Sequence, residues 1–185
     1  MQHLGTQELE TERLLLCEFD KADFHEVFAN WAGDRETTKF LTWQAHADET
    51  DTKRFLAEVT KNYWRDDYYH WKIMFGGEIV GSIEVTGADE RSGHCELGWV
   101  IGKAWRGRGF MPEAASAVCA FLLEQVGYNR VEAYASVENA SSTRVMEKIG
   151  MQKEGVLRSY FRLNSGKMTD IAIYSMLRAD FLNEF

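Results

Sequence analysis

Proline is nearly absent from this chain. Pro112 is the one copy in 185 residues, so no Pro-rich linker divides the sequence, and its length suits one domain over 1–185. Cysteine is also scarce. Cys17, Cys95 and Cys119 form an odd set with no CxxC pair and no Cys/His cluster, which argues against a disulfide framework and against a metal site. Each falls in an apolar periodic stretch, as small buried hydrophobes do in a reducing compartment. No run of about 18 apolar residues exists to span a bilayer. The opening 15 residues lack a basic region followed by an apolar core, so they do not read as a secretory signal. A cytoplasmic protein without membrane attachment is expected. Positive charge is in deficit, with a formal net charge of −8. That balance opposes broad binding to nucleic acid or anionic membranes. It suits a cationic partner such as an amine, and it would repel an anionic cofactor unless cations gathered locally.

What is present is a regular alternation of patterns. A strand is expected over Glu12–Phe19, with Leu14, Leu15 and Leu16 in succession. Asp20 can cap a helix reaching Trp31, with Phe24, Val27, Phe28 and Trp31 on one face. A second helix is expected from Asp48 or Thr50, carrying Phe55, Leu56, Val59 and Tyr63. Three strands follow, near 69–75, 78–86 and 94–101, with Gly76-Gly77 turning the first hairpin. A helix over Pro112–Val126 ends at Gly127, and a strand runs over Arg130–Val137. Asn139 can cap a helix to Ile149, and two strands near 155–163 and 167–177 flank Asn164-Ser165-Gly166. The order predicts an α+β (mixed α/β) domain with seven strands, mostly antiparallel, and about four helices. The strand–helix–strand unit around Ile101, Phe121 and Val131 should form a parallel crossover.

Cations do gather in one segment, Lys103-Ala104-Trp105-Arg106-Gly107-Arg108-Gly109-Phe110-Met111-Pro112-Glu113. It follows a strand and opens a helix. Gly107 and Gly109 permit a sharp turn and close approach to a ligand. Unpaired N–H groups at the helix start, with the positive end of its dipole, make a phosphate site. Pro112 suits the first helical position. A basic, solvated turn would use the same residues. There is no GxxxxGK[ST], and the third glycine of a GxGxxG is replaced by Pro112, so neither a P-loop nor a Rossmann loop fits.

Arg106-Gly107-Arg108-Gly109-Phe110-Met111 resembles the (Gln/Arg)-x-x-Gly-x-(Gly/Ala) signature of the GCN5-related N-acetyltransferase (GNAT) superfamily, with Met111 departing from the small last position. Asn139 to Met151 resembles that family's Asn-x-x-Ser…Glu-Lys-x-Gly-Phe segment, and Glu96-Leu97-Gly98-Trp99-Val100-Ile101 its Glu-Leu-Gly-Tyr-x-Ile strand. Thr11-Glu12-Arg13-Leu14-Leu15-Leu16 is similar to the RimJ/RimL-like ribosomal-protein N-terminal acetyltransferase branch. The resemblance implies a splayed sheet with acetyl-CoA wedged between two parting strands. Backbone groups near Val100 and Ile101 would pair with the pantetheine arm. N–H groups from Arg106 to Met111 would hold the pyrophosphate, Asn139 would bond the pantetheine, and Ser142 would lie near the thioester sulfur.

The implied reaction needs a deprotonated amine, a held oxyanion and a protonated leaving thiolate. Glu96 is the candidate base through water; the alternative is a carboxylate on the polar face of a strand. Ser142 is the candidate source of the thiolate's proton; the alternative is a hydroxyl that only caps its helix. Many family members place a tyrosine where Met146 stands, and methionine cannot donate a proton. Tyr160 is a spare donor or a strand aromatic. Trp31, Trp43 and Trp71 would wall the acceptor pocket or pack the core. His70 and His94 lack metal-ligand spacing and read as structural or surface residues. The acceptor is expected to be a protein N-terminal α-amine, with a small-molecule amine as the close alternative. A non-catalytic acyl-CoA sensor is the reading from another class. An exposed sheet edge would allow a homodimer.

Overall fold

Gly76 and Gly77, at φ 60° and 87°, close the hairpin the sequence predicts between β3 (His70–Phe75) and β4 (Glu78–Asp89). The computed structural model describes residues 1–183 and builds its sheet outward from this hairpin. The remaining strands are β1 (Leu9–Glu10), β2 (Leu15–Cys17), β5 (His94–Ile101), β6 (Arg130–Ser136), β7 (Gln152–Arg162) and β8 (Met168–Leu177). Their spatial order is β1-β2-β3-β4-β5-β6-β8-β7, and every pairing is antiparallel except β5 with β6.

The expected class holds, with eight strands instead of seven. The expected first strand, Glu12–Phe19, is shortened because Thr11 breaks it. Thr11 N–H donates to Leu14 O, and Leu14 N–H donates back to Thr11 Oγ1. This turn folds Leu9–Glu10 back on Leu15–Leu16 as an extra edge strand.

Helices cover both faces. Asp20 caps α1 (21–32), which is not one regular helix: it runs through a 3-10 turn, one α-helical turn and a π-helical stretch. A short α2 (Arg35–Thr38) follows, capped by Asp34, in a stretch with no periodic apolar signal. Asp48 caps α3 (Glu49–Asn62). The long helix α4 (110–126) is α-helical to Ala120 and π-helical from Phe121, and Gly127 ends it at φ 89°. Finally come α5 (Ala140–Lys148) and α6 (Arg178–Asn183), and Lys103–Trp105 makes a 3-10 turn ahead of α4. Phe121, Leu122 and Met146 pack with Trp71, Leu97 and Val131 on one sheet face. Val27, Trp31, Leu56 and Val59 pack with Phe19 and Ile79 on the other. Complete burial of this many large apolar side chains supplies the main force for folding, at about 1.5–3 kcal/mol each.

The parallel pair positions the site. It starts at His94↔Arg130 and stops at Leu97↔Ala133. Beyond that point β5 stays with β4 as far as Ile101↔Gly81, while β6 stays with β8 as far as Ser136↔Ile171. The two strands therefore part, as the resemblance implied. A bulge between Val85 and Gly87 swings Thr86 towards β5. It explains Gly98 in the Glu-Leu-Gly run, because a Cβ there would sit 2.7 Å from Thr86 Cγ2.

Candidate active site

Between the parted strands lies a cleft of about 530 Å³. Glu96, Gly98, Trp99 and Val100 form one wall, and Tyr134, Ser136, Asn139 and Ser142 the other. After Leu97 the β5 edge facing the cleft has no partner strand. Val100 and Ile101 thus sit on backbone that an extended ligand can pair with as a strand does.

The basic loop stands at the head of α4. Gly107 and Gly109 have φ of 75° and 82°, and Gly109 is the N-cap. A side chain at Gly109 would carry the left-handed penalty. Helix α4 begins at Phe110, so Pro112 is its third residue, not its first. The change costs nothing, because the first four helical N–H groups lack intrahelical acceptors. The N–H groups of Phe110 and Met111 head the helix, while their side chains are buried: Phe110 stacks on Phe75, and Met111 joins the core. Met111 thus leaves the backbone accessible without being small. The two arginines turn away from an anion directly over the loop. Arg106 donates to Thr37 Oγ1 at 2.8 Å, and its N–H is engaged by Lys103 O at 3.4 Å. Arg108 lies over the Phe75 and Phe110 rings. Thr11 and Arg13 grip the loop from outside. Both bond the Glu113 carboxylate, at 2.6 and 2.7 Å, and Arg13 Nη1 reaches Arg108 O at 3.0 Å.

Asn139 caps α5 as expected, and its side chain is committed to Ser142. Its Oδ1 accepts from the Ser142 N–H at 3.3 Å, and its Nδ2 donates to Ser142 Oγ at 3.0 Å. The backbone bond fixes the amide's orientation. Ser142 Oγ therefore spends a lone pair on Asn139 and keeps its own hydrogen for the cleft. Met146 is wholly buried.

Glu96 faces Glu132 across the parallel pair. Glu132 is engaged by Arg130 Nε at 2.8 Å and by Tyr134 Oη at 2.7 Å. Thr86 Oγ1 donates to the Glu96 backbone O at 3.4 Å, and burial, with the Glu132 charge, pushes the Glu96 carboxyl above the ordinary range. A second carboxylate shares the face. Glu84 stands opposite Gly98, which has no side chain to cover it. Burial raises its carboxyl to about 7. His70 lies beneath, its Nδ1 3.3 Å from Glu84 Oε2 and its Nε2 2.8 Å from Ser82 Oγ. Burial lowers His70 to about 3, so this histidine is neutral at ordinary pH. Trp31 and Trp43 join Phe40, Phe55 and Phe161 around that end of the cleft.

A family model described as an acetyltransferase (GNAT) domain matches residues 13–152. The chain belongs to the GNAT acetyltransferase family. It is therefore an acyltransferase with acetyl-CoA as its acetyl donor. An uncharacterised N-acetyltransferase, p20 from Bacillus licheniformis, is 25% identical over 175 residues, covering 94% of this chain and 97% of that protein. A ribosomal protein uS5-alanine N-acetyltransferase from Escherichia coli is 28% identical over 105 residues, 56% of this chain and 54% of that one. A crystal structure of a GNAT-family acetyltransferase from Bacillus anthracis is 26% identical with a TM-score of 0.82, covering 94% of this chain and 99% of that one.

In this GNAT fold the expected residues divide. Glu96, Val100, Asn139, Ser142 and Tyr160 line one cleft. Tyr160 sits on an irregular stretch of β7, with Ser159 at φ 48° and its N–H on Asp170 Oδ1. Trp71 does not belong there: it is buried, stacked on Tyr69, with its indole N–H on Gln7 O. Of the two readings of His70, structural or surface, burial excludes the surface one, and the residue lies under the cleft floor. Glu84 was missed. Its signal was the alternation Ser82, Glu84, Thr86 against Ile83 and Val85, which puts a carboxylate among polar neighbours on one face. No cluster of three or more metal-ligating side chains occurs among the described residues. No helix among them is long and apolar enough to cross a membrane.

Proposed function

We propose that this GNAT chain acetylates a primary amine by direct attack on the acetyl-CoA thioester, with Glu96 taking the amine's proton through water. The observation that carries this reading is the divergence of β5 and β6 after Leu97↔Ala133, which brings Glu96, Asn139 and Ser142 to one cleft. The pantetheine arm would pair with the free edge near Val100 and Ile101. The pyrophosphate would meet the N–H groups of Gly107 to Met111, with Arg106 and Arg108 supplying field more than contact. Asn139, bound to Ser142, would offer its remaining amide capacity to the pantetheine. Ser142 would donate a hydrogen bond to the leaving sulfur, which stabilises the thiolate.

The uS5-alanine relative supports a protein N-terminal α-amine as acceptor. One observation supports the alternative, a small-molecule amine. Asn164, at the tip of the β7–β8 hairpin, donates to Thr38 O at 2.9 Å and Trp43 O at 3.2 Å. This tie pins the hairpin tip to the segment that carries Trp43, a residue of the cleft wall, which favours a compact acceptor, and we take the small amine as the preferred one. The test is free-CoA release from acetyl-CoA against small primary amines, polyamines, aminoglycosides and peptides with free N-termini. Release driven by small amines supports the reading. Release driven by peptides alone restores the N-terminal α-amine, and no amine-dependent release with any acceptor contradicts Glu96-assisted transfer.

A further inference from the structure

We infer that the aromatic end of the cleft is a subsite for a small primary amine with an apolar, ring-sized body, and that Glu84 is the carboxylate that receives its ammonium. The inference rests on the acetyltransferase reading of the cleft and adds the acceptor's chemistry.

Two carboxylates, Glu84 and Glu96, face the cleft, and neither lysine nor arginine lines it among the described residues. A carboxylate held away from water without a cation is costly and attracts one. Glu84 is the stronger case. Its side chain is 40% exposed, and that exposure opens on the cleft. A carboxylate has about four acceptor positions, and His70 Nδ1 stands 3.3 Å from Glu84 Oε2. His70 is held by Ser82 behind it and is neutral, so it orients Glu84 without neutralising it. The other titratable groups nearby do not supply a cation. Tyr68 Oη lies 3.3 Å from His70 Nδ1, and His46, bonded to Thr52, is kept neutral by burial.

The walls select the rest of the ligand. Phe40, Trp43 and Phe55 are half-buried and line the cleft with apolar surface. Aromatic faces also attract ammonium groups. A polyamine would bring a second charge against the aromatic walls and set it in competition for Glu96, the proposed base.

The proton balance is complete. The ammonium, paired with Glu84, loses one proton to solvent water, leaving a neutral amine. Its nitrogen attacks the thioester carbon, the C–N bond forms and the C–S bond breaks. The second proton leaves the nitrogen to Glu96 through water. One of the two protons ends on the CoA thiolate and the other in solvent.

The experiment uses the full chain and 2-phenylethylamine, n-butylamine, spermidine and an alanine-initiated hexapeptide as probes. Acetyl-CoA affinity is measured separately by titration. The expected result is a kcat/KM for 2-phenylethylamine at least tenfold above the other three. Glu84→Gln, which keeps the side chain's size, should raise the KM for 2-phenylethylamine at least tenfold while leaving acetyl-CoA affinity within twofold. A preference for the hexapeptide or spermidine, or a Glu84→Gln variant with unchanged amine KM, would overturn this inference and leave the acetyltransferase reading standing. Loss of acetyl-CoA binding by the unaltered chain would overturn both.

Discussion

Asn139 holds Ser142 at two atoms, accepting from its N–H and donating to its Oγ. The pair makes a cap into a device that aims a hydroxyl. Ser142→Ala should lower kcat about tenfold while changing acetyl-CoA affinity little, if the hydroxyl stabilises the leaving thiolate. Asn139→Ala should do more. It removes the cap, at about 0.5–2 kcal/mol, and also frees Ser142 to turn away. Thermal melts beside steady-state kinetics separate the two effects: Ser142→Ala should melt close to the parent, Asn139→Ala below it.

As the proposed base Glu96 would act in its ionised form, and burial raises its carboxyl. Acid should therefore switch the enzyme off at a pH above the ordinary glutamate value of about 4.3. The rate should rise with pH through that raised value. Glu96→Gln should lower kcat/KM by about 10²- to 10⁴-fold and remove that limb. A rate–pH profile of the variant with the same acid limb as the parent would assign the limb elsewhere.

Glu84 should cost the fold stability at neutral pH. Its carboxyl moves from 4.5 to about 7 on folding. Between those values the folded chain holds the proton more tightly than the unfolded chain, so this group's contribution falls as pH rises. Glu84→Gln should therefore melt higher than the parent above pH 7, and the gain should vanish below about pH 4.5. Paired melting curves at both ends of the range check the sign. His70 titrates in neither variant above about pH 3, so it drops out of the difference in the folded state.

The grip of Thr11 and Arg13 on Glu113 ties the opening Thr-Glu-Arg-Leu segment to the loop proposed to hold the pyrophosphate. Arg13→Ala should weaken acetyl-CoA binding several-fold without moving the KM for the amine, since Arg13 lies outside the cleft. Gly109→Asp should weaken it further. It adds a left-handed penalty of about 1–2 kcal/mol and a negative charge beside the pyrophosphate. Titration with acetyl-CoA reads both.

Much of this was legible beforehand because local chemistry and tertiary structure agree. Gly76-Gly77, Asp20, Asp48, Asn139 and Gly127 mark turns and caps, and each stands where its type predicts. The parting of β5 from β6 followed from the resemblance, not from periodicity. The extra strand Leu9–Glu10 escaped because two residues carry no period, and the Thr11 turn that creates it depends on side-chain bonds to a segment a hundred residues away. Trp71 was ambiguous because an aromatic in a strand reads the same facing core or cleft. Glu84 escaped for a related reason. Its significance comes from Gly98 on the neighbouring strand and from His70 beneath, and neither relationship is visible along one strand.

The most direct test is amine-dependent CoA release by the unaltered chain and by Glu96→Gln, measured on one accepted primary amine from acid to mildly alkaline pH. The account predicts release that needs the amine, rises with pH in the parent, and falls by at least a hundredfold in the variant while acetyl-CoA still binds. Equal rates in both proteins, or CoA release indifferent to the amine, would contradict it.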